Sequence, residues 1–131
     1  SILEMPALTL GQILQHIKSS LALNYLRCMG NADMPCRRIG LLVGYRGSGE
    51  AAIPLFHNEN LDLVIYGEGP EWETPEYVRD SLQQGLQRGL VVLGHAESET
   101  PGMKYLAHLL QEKYTGMPVH FLPQEPVFKI V

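Results

Sequence analysis

The stretch Arg38-Ile39-Gly40-Leu41-Leu42-Val43-Gly44, followed by Tyr45-Arg46-Gly47-Ser48-Gly49-Glu50, decides the fold. Its first part is a nearly continuous apolar run rich in branched residues, which suits a strand covered on both faces. The second part is a glycine-rich turn in which Ser48 can cap a helix across Glu50 to Asn58. Pro54 lies inside that helix and removes a backbone donor, which leaves the helix start open. Leu61 to Tyr66 reads as the next strand. Strand, glycine turn, helix and strand together form the unit of an α/β fold.

The unit recurs on both sides. Upstream, Thr9 caps a helix whose apolar positions Leu10, Ile13, Leu14, Ile17 and Leu21 fall at helical spacing and which ends near Ala22. Tyr25 to Met29 is a short extended segment, and Gly30-Asn31-Ala32-Asp33 a turn. Downstream, Thr74-Pro75 supplies an N-cap and a proline in the first turn, with a stripe of Tyr77, Val78, Leu82 and Leu86 and a left-handed stop at Gly89. Leu90 to Leu93 is then a strand. Thr100-Pro101 repeats the start signal, Met103, Leu106, Ala107, Leu110 and Tyr114 repeat the stripe, and Gly116 repeats the stop. Val119-His120-Phe121-Leu122 is the last predicted strand. The alternation predicts a single α/β layered domain over residues 1–131, with a largely parallel or mixed sheet and helices packed on it.

Composition narrows the function classes. The 131 residues carry 10 Lys+Arg and 14 Asp+Glu, a formal charge of 10 − 14 = −4, so there is no electrostatic footprint for nucleic acid. Apolar runs fall far short of the roughly 20 residues that cross a bilayer, so no membrane partner is expected and the chain reads as soluble and cytoplasmic. The spacing of Cys28 and Cys36 matches neither a redox pair nor zinc knuckles, and both read as idle or structural thiols. Ser1 in place of Met points to processing or to a segment of a longer protein.

In a parallel sheet, ligands collect at the carboxyl ends of the strands. Three loops lie there. The first holds Gly44, Gly47, Ser48 and Gly49, whose backbone N–H groups can face an anion such as a small phosphorylated ligand, although tight turning alone also explains the glycines. It matches neither the P-loop nor the dinucleotide fingerprint. The second, Gly67-Glu68-Gly69-Pro70-Glu71-Trp72-Glu73, crowds three carboxylates after a strand; Glu73 has a bland role at a helix start, and Glu68 sits nearest the strand end. The third, Gly94-His95-Ala96-Glu97-Ser98-Glu99, sets an imidazole at a strand end and a carboxylate four residues on. Nitrogen with carboxylate oxygen suits divalent Zn, Fe, Mn or Ni, and the same pair also serves as a plain salt bridge. His16, His57, His108 and His120 do not complete a shell.

Tyr66-Gly67-Glu68, then Gly94-His95-Ala96-Glu97-Ser98-Glu99-Thr100-Pro101-Gly102, and then Val119-His120-Phe121-Leu122-Pro123 leading to Pro126-Val127-Phe128 resembles the C-terminal half of the Nif-three-like family. These are dinuclear-metal proteins, also known as type-two GTP cyclohydrolase-I homologues. Thr9-Leu10 and the Gly44–Glu50 loop extend the resemblance over nearly the whole chain.

The resemblance implies that His95 and Glu99 are metal ligands of a dinuclear centre. It also implies a metal-dependent hydrolase acting on a nucleotide-like or phosphorylated small molecule; apart from the resemblance, the place of Glu68 at the strand end suggests it as a catalytic proton carrier. The family's other ligands lie in a His-His-Pro segment and a following aspartate, and no His-His pair exists in this sequence. The chain therefore reads as a C-terminal portion, or a short version, of such a protein, holding an incomplete divalent-metal site and inactive by itself. The family's ring-shaped assemblies imply self-association as a homo-oligomer, with Ile2 to Ala7 and Pro126 to Val131 as the candidate surfaces. A non-catalytic oligomerisation or protein-interaction module and a plain anion-binding domain are the alternative functions.

Overall fold

The structure, a computed structural model, describes residues 1–124. Nine elements follow in the order β1 (Ile2–Thr9), α1 (Leu10–Leu21), β2 (Arg27–Met29), β3 (Pro35–Leu42), α2 (Gly49–Asn58), β4 (Leu63–Tyr66), α3 (Thr74–Gln83), β5 (Gly89–Val92) and α4 (His95–Lys113). They form an α/β fold with one five-stranded mixed sheet in the order β1-β3-β4-β5-β2. The central three strands are parallel, with Ile39 opposite Leu63 and Leu63 opposite Gly89. Antiparallel edge strands flank them: β1 pairs with β3, and β2 with β5.

Strand pleating sorts the core into two layers. On β4, Leu63 and Ile65 join Leu10 and Ile13 of α1 in one cluster. Val64 and Tyr66 join Ala52 and Phe56 of α2 and Val78 of α3 in the other. Two successive parallel crossovers running in the same direction put α2 and α3 on the same face. Thr9 caps α1 as expected, its hydroxyl accepting from the Gln12 N–H while the Gln12 side chain accepts from the Thr9 N–H, and Ala22 closes the helix in the left-handed region. Ser48 caps α2, with Pro54 inside. Cys36 is buried in the first layer, and that burial pushes its thiol up to about 11, an inert state; Cys28 is exposed. Among the described residues, no helix is long and apolar enough to cross a membrane.

Six local expectations are corrected. Thr74 does not cap α3: it is the first helical residue and its hydroxyl donates to the Gly47 carbonyl, tying the helix to the glycine loop. The left-handed stop is Gly85, where the Leu86 N–H reaches the Ser81 carbonyl, and Gly89 instead opens β5. The last helix begins at His95, not at Thr100-Pro101, because Gly94 at φ +108° turns the chain directly from β5 into α4 and accepts the Ser98 N–H. Pro101 therefore lies inside the helix, at the cost of one internal hydrogen bond.

The fourth concerns Val119–Leu122, which is not a strand. The sheet edge beside β5 is taken by β2, and the fifth strand comes from Ile2–Thr9, a segment expected only as exposed surface. The stripe on α4 is likewise not core: Ser98 is its only buried residue among those described, and Met103, Leu106 and Leu110 stay exposed. The other proposed association surface, Pro126–Val131, lies outside the described residues.

Candidate functional site

The carboxyl ends of β3, β4 and β5 carry the three loops, and backbone contacts stitch them into one surface. The Gly67 N–H donates to the Leu42 carbonyl, the Glu68 N–H to the Gly44 carbonyl, and the Gly94 N–H to the Gly67 carbonyl. The buried Ser98 hydroxyl completes the junction, accepting from the Gly44 N–H at 2.9 Å and donating to the His95 carbonyl at 2.7 Å. A Cβ at Gly67 would lie 2.5 Å from both the Gly44 carbonyl oxygen and Ser98 Oγ. Only glycine fits at that crossing point.

His95 and Glu99 follow from this geometry. Helical spacing places them one turn apart on the same face of α4, with His95 Nε2 3.5 Å from Glu99 Oε2. Glu68 reaches the other side of the ring, 3.2 Å from Nδ1. The expectation that Glu68, His95 and Glu99 share one crevice agrees with these distances. Nδ1 faces Glu68 and Nε2 faces Glu99, so the two carboxylates flank the ring. Glu68 and Glu99 thus lie against opposite nitrogens and do not converge on one point. Among the described residues, no group of three or more His, Cys, Asp or Glu side chains is arranged to enclose a metal ion. The arrangement offers two ligand atoms, Nε2 and a Glu99 oxygen, with Glu68 orienting the ring from behind.

Gly44 backs this pair. It adopts φ +66°, and a Cβ there would collide with the Glu99 carboxylate and come within 3.5 Å of His95 Nε2. The rest of the glycine loop turns its donors inward. The Gly47 N–H donates to the Glu68 carbonyl and the Gly49 N–H to the Glu73 carboxylate at 2.5 Å, while the Ser48 hydroxyl accepts from the Ala51 N–H. Glu73 therefore already supplies an anion at the α2 N-terminus, where helix dipole and free N–H groups favour one. A groove of about 600 Å³ runs away from His95 and Glu99, between Met103, Leu106 and Leu110 of α4 and the returning segment at Val119 and Phe121.

Ser98 was not anticipated as a site-shaping residue. Ser98 carries a signal only once the helix is started at His95, since it then falls three residues on, facing inward.

A family-wide sequence model described as Duf34/NIF3 (NGG1p interacting factor 3) matches residues 2–126. The fold is similar to that of a Bacillus cereus protein related to NIF3, with 24% identity and a TM-score of 0.72 over 99% of this chain and 35% of the other. A Staphylococcus aureus protein gives 18% and 0.75 over 99% of this chain and 41% of the other. A Thermus thermophilus protein gives 21% and 0.62 over 95% of this chain and 46% of the other. The chain thus spans less than half the length of each of these three structures. No curated protein matches the chain.

Two outcomes test this geometry. Ser98→Ala leaves the Gly44 N–H without its acceptor and lowers stability by about 1–3 kcal/mol in a denaturant titration; an unchanged midpoint would show that the junction does not depend on the hydroxyl. The His95 imidazole is held above its ordinary value of 6.5, first by its hydrogen bond to Glu68, against which desolvation works, and then by the charges of Glu99 and Glu68. Followed by NMR, Glu68→Gln should move the His95 titration to lower pH, and no movement would break the assigned contact.

Proposed function

Because the chain belongs to the Duf34/NIF3 family, we propose that it is the C-terminal domain of a metalloprotein that hydrolyses a nucleotide-like or otherwise phosphorylated small molecule. The observation that carries this reading is the pairing of His95 Nε2 with Glu99 on one turn of α4, with Glu68 on Nδ1. The donor set fits part of a divalent metal shell: borderline nitrogen, hard oxygen, and a carboxylate behind the imidazole that fixes its tautomer. A divalent ion of the Zn, Fe, Mn or Ni class would supply Lewis-acid polarisation of a phosphoryl or carbonyl oxygen.

This chain's own residues do the rest. His95 presents Nε2, Glu99 presents its carboxylate beside it, and Gly44 leaves the space that the carboxylate needs. Glu68 holds the Nδ1 proton and is the carboxylate placed to exchange it during a reaction, as catalytic proton carrier. The groove along Met103, Leu106 and Leu110 gives the apolar part of a substrate a wall next to these polar groups. Anion binding by Gly44, Gly47, Ser48 and Gly49 would require Glu73 to leave Gly49.

Two ligands leave an ion mostly hydrated, so the isolated chain should hold zinc weakly and lose it on dialysis. In a zinc titration followed by NMR, the His95 ring signals should shift before those of the other four histidines, and His95→Ala should abolish that response. First shifts at His16, His57, His108 or His120 would overturn the assignment. Stoichiometric zinc that survives dialysis would show that this chain, or a second copy, completes the shell.

A second reading, an interaction module that self-associates, is favoured by the apolar residues Met103, Tyr105, Leu106, Leu109 and Leu110 of α4, which the other described residues leave exposed. Light scattering should then give a mass above 14.6 kDa that Leu106→Lys returns to the single-chain value. A mass of 14.6 kDa at every concentration would remove this reading.

A further inference from the structure

On the far side of the Glu68–Glu73 loop from His95 lies a second cavity, of about 240 Å³, between β2, β5 and the start of α3. Its apolar wall is Met29, Leu90 and Val92. Tyr66 also lines it. That residue is 1% exposed, and its hydroxyl makes no hydrogen bond among the described residues. Among the described residues no side-chain oxygen is both sealed from solvent and unpartnered, so this hydroxyl keeps a small contact with open space. At that position it is a donor that a molecule seated in the cavity can meet. Burial pushes Tyr66 up to about 12, so it stays a neutral donor near physiological pH.

The cavity is edged by charges of both signs. Arg27 and Glu71 pair at 2.5 Å with both side chains more than half exposed, and Glu76, which pairs with Arg79, also lines the space. An exposed pair of this kind contributes little to folding, and each partner keeps unused hydrogen-bonding capacity: four further N–H groups on the guanidinium and a second oxygen on the carboxylate. A ligand that carries its own adjacent positive and negative groups replaces that pairing without stranding a charge. The space suits a small metabolite rather than a nucleotide.

We propose that this cavity binds a free α-amino acid as its zwitterion. The carboxylate meets Arg27, the ammonium meets Glu71 and Glu76, and the side chain lies along Met29, Leu90 and Val92. An oxygen on that side chain accepts from Tyr66. This site is independent of the metal reading, because it shares none of His95, Glu99 or Glu68.

The test uses the full 131-residue chain in the presence of a metal chelator, with L-leucine and L-tyrosine as separate probes, followed by amide NMR shifts. Both should perturb Met29, Tyr66, Leu90 and Val92, with Kd on the order of 1 mM for ligands of this size. Arg27→Ala, at an exposed position, should weaken both at least about tenfold, the factor set by one lost charged contact. Tyr66→Phe should weaken L-tyrosine and leave L-leucine unchanged. Absence of shifts around the cavity with both probes, or shifts that persist in Arg27→Ala, would overturn the proposal. Equal weakening of both probes by Tyr66→Phe would overturn the side-chain contact.

Discussion

Everything at the carboxyl edge of the sheet depends on the contact between Gly67 and Gly44, closed by the hydroxyl of Ser98. Loops at strand ends are ordinarily the mobile part of an α/β domain. Here the loops after β3 and β4 and the turn after β5 exchange backbone hydrogen bonds beyond the ends of the strands, and no side chain fits between them. Ser98 sits in the first turn of α4, so the same hydroxyl that satisfies Gly44 fixes the rotation of the helix. That rotation brings His95 and Glu99 to the crevice. It also brings Glu68 to the back of the imidazole, since its backbone is held by Gly44 on one side and Gly47 on the other.

Much of the sheet could be read from the chain because its signals are local. Continuous apolar runs mark β3, β4 and β5, and Thr9 and Ser48 mark the helices they cap. The parts that differ depend on long-range competition. Ile2–Thr9 becomes a strand because the free edge of β3 accepts it, and nothing in its pattern separates an edge strand from an exposed tail. Val119–Leu122 has the composition of a strand, but the place beside β5 is taken by β2. At the site, His95, Glu99 and Glu68 were legible from their places after the strands. The start of α4 was not, because Thr100-Pro101 carries a stronger local start signal than Gly94 and Ser98.

The glycines show how one residue type serves different ends. Gly44 makes room for a carboxylate, Gly67 lets two backbones touch, and Gly49 gives its N–H to Glu73. A loop rich in glycine beside a helix start resembles an anion cradle in sequence. In the folded chain its nearest anion is Glu73. The apolar stripe of α4 makes the complementary point: helical periodicity identifies a face that needs covering, without saying whether the sheet covers it. Here the sheet does not.

The central claim is that these three loops form a rigid platform rather than three independent turns. Amide hydrogen exchange measures this directly. The account predicts that the amides of Gly44, Gly67, Glu68 and Gly94 exchange as slowly as those of Ile65 and Val91 in the sheet, all through global unfolding. Rapid exchange of the four loop amides, with Ile65 and Val91 still protected, would contradict it.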